Sequence, residues 1–350
     1  MADEKTSGGR LRHSSDSEPG YTRKKQGHYL QYFDGEGKRV TDRAEIERLN
    51  AIALPPAYEH AWFCKDANGH LQATGVDARG RKQYRYHPDF RAKRDSAKYE
   101  GLLEFGKSLP KLRRRVEQDL KRRQLGRETV LAAVVRLLDT EHMRIGNEQY
   151  AKSNKSFGAT TLRSRHLRRK GSKLTMRFVG KHGIVHEANI SDSNLKRIVK
   201  RCQELPGQML FQYVNGGGEP QAITSSDVND YIREGTKCDF TAKHFRTWGA
   251  SVIAFEQLLA KSEGSRISIK TVVEPVAEAL GNTVAMSRKS YVHPALLEAV
   301  KEDSRDPLDG MKRPRARARL SSEEVGLLEF LAQEAKRGRR KARQTRPAAA

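Results

Sequence analysis

The sequence predicts an α+β protein: a small β-rich N-terminal domain, then a larger, mainly helical domain that carries a β-hairpin. At 350 residues the chain is long enough for about two domains of ordinary size. Its apolar pattern changes near Pro88, from short strand-like runs to long stretches with helical spacing. Within the helical part, Gly180-Lys181-His182-Gly183 separates two further strand-like runs, a hairpin signature.

Residues 1–26 are Ser, Gly and charge with almost no apolar pattern, and read as a disordered leader. The small domain, 27–90, contains the runs Tyr58–Cys64 and His70–Thr74, separated by a segment with Asn68-Gly69, a strong turn signal. In Gln83-Tyr84-Arg85-Tyr86-His87 aromatic and polar residues alternate. A strand there puts Tyr84 and Tyr86 on one face and Gln83, Arg85 and His87 on the other, as in any half-buried strand or in one that enters a DNA groove.

The larger domain, 91–302, opens with two long amphipathic stretches, Pro110–Leu125 and Thr129–Lys152. Pro110 suits a first helical position, where its missing N–H costs nothing. Lys173–Phe178 and Ile184–Ile190 flank the glycine-bounded turn and put Lys181 at or beside its tip. Helices resume at Ser193–Leu205, with Asp192 as N-cap, and at Ser225–Glu234, Thr241–Lys261 and Ile269–Leu280. Pro275 should kink or restart the last of these, and Gly281 should cap it. Residues 303–350 read as a basic tail. Its stretch 311–350 holds 12 basic and 4 acidic residues, with room for one short amphipathic helix over Ser322–Lys336.

Lys and Arg number 67 against 43 Asp and Glu, a net charge of +24. That exceeds what solubility requires and points to nucleic acid or another anionic surface as the partner. Basic clusters lie at Lys111–Arg115, Lys121–Arg123 and Arg163–Lys170 as well as in the tail. Any one of them is compatible with a solvated helix face. Together, without compensating acidic blocks, they favour a phosphate-binding channel with steep salt dependence.

No apolar run approaches the ~18 residues of a membrane span. Met1–Gly9 has no signal-peptide pattern, so no membrane partner is expected. Cys64, Cys202 and Cys238 are far apart and never CxxC, which argues for a reduced intracellular compartment and against a zinc site. There is no Walker A sequence, no GxGxxG at a strand–helix junction and no HExxH. Asn215-Gly216-Gly217-Gly218 lacks the Lys-Ser/Thr of a P-loop and reads as a turn. No nucleotide, metal or other cofactor is expected. Two classes remain: a passive nucleic-acid binder, and an enzyme whose own side chains do phosphoryl chemistry.

Five segments bear on that choice: GHLQATGVDARGRKQYRYHP at 69–88, Arg144-Ile145-Gly146-Asn147-Glu148, the Gly180–Gly183 turn, Lys243-His244-Phe245-Arg246-Thr247-Trp248, and Gly281-Asn282 through Ser290-Tyr291-Val292-His293-Pro294. In these, and in their order, the chain resembles the type IB DNA topoisomerases, specifically the compact poxvirus-like branch found in bacteria. The resemblance runs from about Tyr29 to Ala299. It implies a two-domain clamp around duplex DNA, monomeric, with a cytoplasmic, nucleoid-associated location. It also implies relaxation of supercoils through transient cleavage of one strand, without ATP or metal.

Carried over residue by residue, the resemblance makes Tyr291 the nucleophile and Arg144, Lys181, Arg246 and Asn282 its companions. The chemistry suits those residue types. A phenol is a poor nucleophile when protonated, and phenolate is a tolerable leaving group, which matches a reversible covalent step. Arg144 and Arg246 could grip the non-bridging phosphate oxygens with planar, permanently charged forks. Lys181 would donate a proton to the departing 5′ oxygen, helped by arginines that lower its pKa.

The poxvirus enzymes place His where this chain has Asn282; bacterial members resemble this chain in using Asn. An amide can donate a hydrogen bond to a phosphate oxygen but cannot add charge. His182, His244 and His293 flank site positions and read as supports or bystanders. The same resemblance proposes Gln83, Tyr84, Tyr86, Asn147, Tyr150 and Lys243 as DNA contacts. On a continuous helix Asn147 and Tyr150 lie roughly along the face of Arg144. Asn147 stands where the poxvirus enzymes have Lys, so their sequence preference does not transfer. Tyrosine recombinases share the Arg–Lys–Arg–Tyr logic, but with His-x-x-Arg where this chain has Lys243-x-x-Arg246, and they lack the 69–88 segment. A non-catalytic nucleoid protein is the alternative from another class, for which Tyr291→Phe would change nothing.

Overall fold

The computed structural model describes residues 10–26, 29–171, 173–260, 267–301 and 314–344. The chain divides into two compact units between Lys98 and Tyr99.

The first unit contains β1 (Tyr21–Gln26), β2 (Tyr29–Phe33), α1 (Arg43–Ala51), β3 (Glu59–Phe63), β4 (Leu71–Val76) and β5 (Lys82–Tyr86), and takes in most of α2 (Pro88–Glu100). Its strands form one antiparallel sheet in the order β2-β1-β3-β4-β5. Tyr32, Leu49, Leu54, Ala61, Phe63 and Ala73 make its core. The expected 27–90 boundaries are therefore too narrow at both ends.

The leader reading fails over residues 10–26; residues 1–9 lie outside the described ones. Tyr21–Gln26 is an inner strand, and before it Arg12 exchanges backbone hydrogen bonds with Asn68 and His70. The buried Ser14 hydroxyl donates to the Leu71 carbonyl, and the Arg23 guanidinium to those of Leu54 and Pro55. Backbone pairing and polar side chains hold this segment, so an apolar pattern could not show it.

The second unit runs through α3 (Leu102–Leu120), α4 (Arg127–Glu141), α5 (Glu148–Asn154), β6 (Leu167–Lys170), β7 (Lys173–Val179), β8 (Val185–Ile190), α6 (Ser193–Glu204), β9 (Gln212–Val214), β10 (Pro220–Ala222), α7 (Ser225–Thr236), α8 (Ala242–Leu259), α9 (Ile269–Leu280), α10 (Val284–Ser290), α11 (Pro294–Lys301) and α12 (Ser322–Gln344). The central α4 is buried at nearly every position from Thr129 to Leu138, and α3, α6, α7 and α8 pack around it. Asp192 caps α6 by accepting from the Asn194 and Leu195 amides, and Gly281 ends α9 in the left-handed region at φ 58°. β6, β7 and β8 form a three-stranded antiparallel sheet, one strand more than the expected hairpin. Asn215–Gly218 is the turn between β9 and β10.

Four expectations are corrected. Pro110 lies inside α3, because the buried stripe Leu102, Phe105, Leu109, Leu112, Val116, Leu120 runs through it unbroken. Pro275 likewise sits within α9, which does not restart there. Thr129–Lys152 is not one helix: α4 stops at His142, which adopts φ 49°, and α5 starts afresh behind Asn147.

The fourth correction concerns the tail. Within 314–344, Leu320, Val325, Leu327, Phe330 and Leu331 are buried, and α12 packs on α8 and α3. Its Glu324 carboxylate accepts from both terminal nitrogens of Arg113, at 2.7 Å each, and from Trp248 Nε1 at 2.9 Å. Arg113 also donates twice to Asp139. That residue, expected in a solvated face or a phosphate channel, is an internal ion-pair partner. Arg115 lies over the Tyr231 ring at 4.1 Å and bonds Glu234. Residues 303–313 and 345–350 of the expected tail lie outside the described residues. Among the described residues no helix is long and apolar enough to cross a membrane, and no cluster of metal-ligating side chains is found.

Candidate active site

Arg246 projects from the second turn of α8 and is only 4% exposed. One terminal nitrogen donates to the His142 carbonyl at the end of α4. The other donates to the Leu280 carbonyl at the end of α9, at 2.9 Å. The guanidinium thus sits where two helix C-termini present unmet carbonyls, a favourable place for a cation. Its carbon lies 5.1 Å from the centroid of the Tyr291 ring. Burial, then the like charge of Arg144, lowers its pKa to about 10. It stays protonated at neutral pH.

Arg144 lies in the α4–α5 connection, pinned because the Ala159 amide donates to its carbonyl at 2.8 Å and the Thr160 amide to that of Ile145 at 2.7 Å. The crossing is so close that a β-carbon on Gly158 would stand 2.5 Å from the Gly146 nitrogen, and Gly146 itself has φ +97°. Only glycine meets both demands. Arg144 donates to Asn282 Oδ1 at 2.9 Å. That bond orients the amide and leaves Asn282 Nδ2, a buried donor, without a partner.

Tyr291 follows α10, with its amide bonded to the Ser287 carbonyl at 3.0 Å. Burial raises the phenol pKa, but the charges of Arg246 and Arg144 and their hydrogen bonds outweigh it and hold the pKa below the ordinary value. A half-buried phenol is thereby biased toward its nucleophilic form beside two guanidinium groups and one free amide donor.

Four of the five expected catalytic residues therefore meet: Tyr291, Arg144, Arg246 and Asn282. The fifth, Lys181, is exposed in the β7–β8 turn, where His182 and Gly183 have φ 67° and 79°. Lys243 is exposed one turn before Arg246. Asn147 is not on a helix face shared with Arg144. It caps α5 by accepting from the Tyr150 amide at 3.1 Å, with Tyr150 half exposed. On β5, Tyr84 and Tyr86 share a face, stacked with centroids 6.2 Å apart, as the alternation predicts. The Gln83 amide is held by Asp77 at 2.9 Å.

Two histidines at the site escaped the sequence reading. The His142 carbonyl receives Arg246, and its ring fills the space over Gly249, where a β-carbon would stand 2.3 Å from Cε1. A glycine in the middle of a buried helix was the available signal. His186 on β8 stacks on Phe178, with centroids 5.3 Å apart. Of the three histidines read as supports or bystanders, His244 packs on Phe105 and Phe240, and His293 meets Tyr99 edge-on at 5.3 Å. Burial lowers the His293 pKa to about 4, so its ring is neutral.

Comparison with known proteins bears on the family. The family described as eukaryotic DNA topoisomerase I, catalytic core, matches residues 87–313, and that described as bacterial DNA topoisomerase IB, N-terminal domain, matches 29–77. DNA topoisomerase 1B of Acanthamoeba polyphaga mimivirus is 31% identical over 313 residues, covering 84% of this chain and 93% of the viral protein. DNA topoisomerase 1B of Vaccinia virus (strain Copenhagen) is 22% identical over 276 residues, covering 75% and 83%. DNA topoisomerase 1 of Rabbit fibroma virus (strain Kasza) is 23% identical over 248 residues, covering 66% and 72%. With a catalytic-core match over more than half its length and a relative aligned along most of both chains, this protein belongs to the type IB DNA topoisomerases.

Proposed function

We propose that the protein relaxes supercoiled duplex DNA by opening one strand through a 3′-phosphotyrosyl ester at Tyr291, letting the free strand swivel, and resealing it. The observation that carries this reading is the buried contact of Arg246 with the Tyr291 ring, next to the Arg144–Asn282 pair.

In the forward step the Tyr291 phenolate oxygen bonds to phosphorus and the bond to the 5′ oxygen breaks. Negative charge grows on the non-bridging oxygens. Arg144, Arg246 and the unpartnered Asn282 Nδ2 are the donors for it. Two fixed guanidinium charges fill the place a divalent ion fills in other phosphoryl-transfer sites. Lys181 delivers a proton to the 5′ oxygen. Because one phosphodiester is exchanged for another, the energy of the broken linkage is kept and resealing needs no ATP. Rotation between the two steps relieves supercoils of either sign.

The two units act as a clamp on the duplex. In the small unit, exposed Tyr84, stacked on Tyr86 and near Lys82, offers DNA an aromatic and basic surface. Lys243, Asn147 and Tyr150 are the contacts proposed in the larger one. The protein works as a monomer on chromosomal DNA.

The test is relaxation of negatively and positively supercoiled plasmid in EDTA without nucleotide, with Tyr291→Phe in parallel. Relaxation of both signs by the wild type alone, with detergent trapping protein on the 3′ end, is expected. Tight binding with neither relaxation nor adduct would overturn the reading.

A further inference from the structure

Lys181 and Asn282 come from distant parts of the chain, yet each directly follows a glycine, and both glycines touch one imidazole. A β-carbon on Gly180 would stand 2.5 Å from Cδ2 of His186, and one on Gly281 would stand 2.5 Å from its Cε1. The ring's face is taken by Phe178, its direct cross-strand partner, at 14° to the ring plane. We infer that His186 is a positioning residue, a flat wedge that sets the Lys181 turn against the Asn282 turn and so fixes where the proton donor stands relative to the phosphate site. This rests on the reading of Lys181 as the proton donor.

The surroundings suit a wedge. Burial, together with the Arg246 and Arg144 charges, lowers the imidazole pKa, so the ring is neutral beside two guanidinium groups. Neither glycine leaves room for a side chain while the ring is present. The Gly180 amide donates to the Ile184 carbonyl at 2.8 Å, closing the turn. Lys181 makes no ion pair with the described residues that would fix it independently. Its placement is inherited from the turn, and the turn's from His186.

In the step concerned the Tyr291 oxygen–phosphorus bond forms, the phosphorus–5′-oxygen bond breaks, and a proton passes from the Lys181 ammonium to the 5′ oxygen. The phenol's own proton has already gone to solvent. If the leaving atom is sulfur, the thiolate departs without a proton and Lys181 is not needed. A residue that acts by placing Lys181 must therefore matter for the oxygen substrate and not for the sulfur one.

The experiment is single-turnover cleavage of matched duplexes with a 5′-oxygen or 5′-sulfur leaving group. The wild type is compared with His186→Ala, Gly180→Ala, the double variant and His186→Phe. His186→Ala and Gly180→Ala should each be about 100-fold slower on oxygen, and within about three-fold of wild type on sulfur. The double variant should be no slower than the worse single one, because removing the ring makes room for the new β-carbon. His186→Phe, which keeps a flat ring on Phe178, should recover most of the rate. Gly180 has φ −92°, so alanine there introduces no backbone strain, and it carries the test should His186→Ala fail to fold.

Equal losses on both substrates would overturn the inference, as would no loss on oxygen. A wild type that forms no covalent adduct with either substrate would overturn the proposed function and this inference with it. An active wild type alongside an unimpaired His186→Ala would remove the inference alone.

Discussion

Replacing Arg246 should cost far more cleavage than replacing Asn282, and the structure sets the size of the gap. Asn282 contributes one neutral donor, Nδ2, which is buried and unpartnered. Losing one such preorganised donor slows a reaction by ~10²–10³-fold, or about 3–4 kcal/mol. Arg246 contributes permanent charge from a site that is only 4% exposed. Charge-assisted hydrogen bonds are roughly twice as strong as neutral ones, so its loss should cost about 6–8 kcal/mol, ~10⁴–10⁶-fold.

Stability has to be separated from chemistry here, because Arg246→Ala also strands the His142 and Leu280 carbonyls. At about 1–3 kcal/mol for each unmet buried acceptor, the variant should lose about 2–6 kcal/mol of stability. The assay is single-turnover formation of the covalent adduct, on a duplex whose downstream strand dissociates once cut, run well below each variant's unfolding temperature. Arg246→Lys, which keeps the charge and loses the fork, should fall between wild type and Arg246→Ala. Equal rate losses in Arg246→Ala and Asn282→Ala would refute the reasoning.

Three further outcomes are expected. On the 5′-sulfur duplex, cleavage by wild type should rise with pH and level off below the phenol's ordinary pKa of ~10, because in the proposed mechanism only the phenolate attacks, and the Tyr291 pKa is lowered. Arg144→Ala removes one lowering charge and should move that plateau to higher pH; an unmoved plateau contradicts the coupling. Glu324→Ala takes the shared carboxylate from Arg113 and Trp248. Breaking a buried pair in this way costs about 3–5 kcal/mol and should lower Tm by about 6–15 °C, whereas a loose tail predicts no change. Burial raises the Glu324 pKa and the Arg113 contacts lower it by more. This stabilisation is therefore present above the unfolded carboxylate's pKa and is lost as pH falls through the depressed folded value. In a thiol titration Cys238, which is exposed, should react at once. Cys64 and Cys202 are buried, and burial pushes the Cys202 thiol up to about 12. Those two should react only on unfolding, and three fast thiols would contradict the fold.

What could be read from the chain is what short segments encode by themselves. Asp192 caps α6 and Gly281 caps α9 through contacts a few residues away, so both were legible. Period-two alternation placed Tyr84 and Tyr86 on one face, because the pleat acts residue by residue. Tyr291, Arg144, Lys181, Arg246 and Asn282 were legible only as motifs, through their likeness to a family. What stayed hidden depends on distant partners. The apolar spacing of Thr129–Lys152 continues past His142, and nothing local ends that helix there. Its last carbonyl is taken by Arg246 from α8, and the connection after it is tied to Ala159 and Thr160. The charge count of the C-terminal segment concealed a buried stripe, and one of the basic residues expected to meet phosphate was already neutralised inside the protein.

By itself, then, the sequence determined the fold class, most of the helices and strands, and the family, since these rest on propensity, periodicity and short motifs. Only the tertiary structure decided that Arg144 leaves its helix, that α12 belongs to the core, that Asn282 turns its oxygen to Arg144 and its amide to the site, and that one imidazole separates the glycines before Lys181 and Asn282. Each of those follows from a buried polar group finding its partner, or two backbones closing to contact, beyond the reach of a local sequence pattern. Energies of that kind depend on burial and distance in the folded chain, and they leave no periodic trace along it.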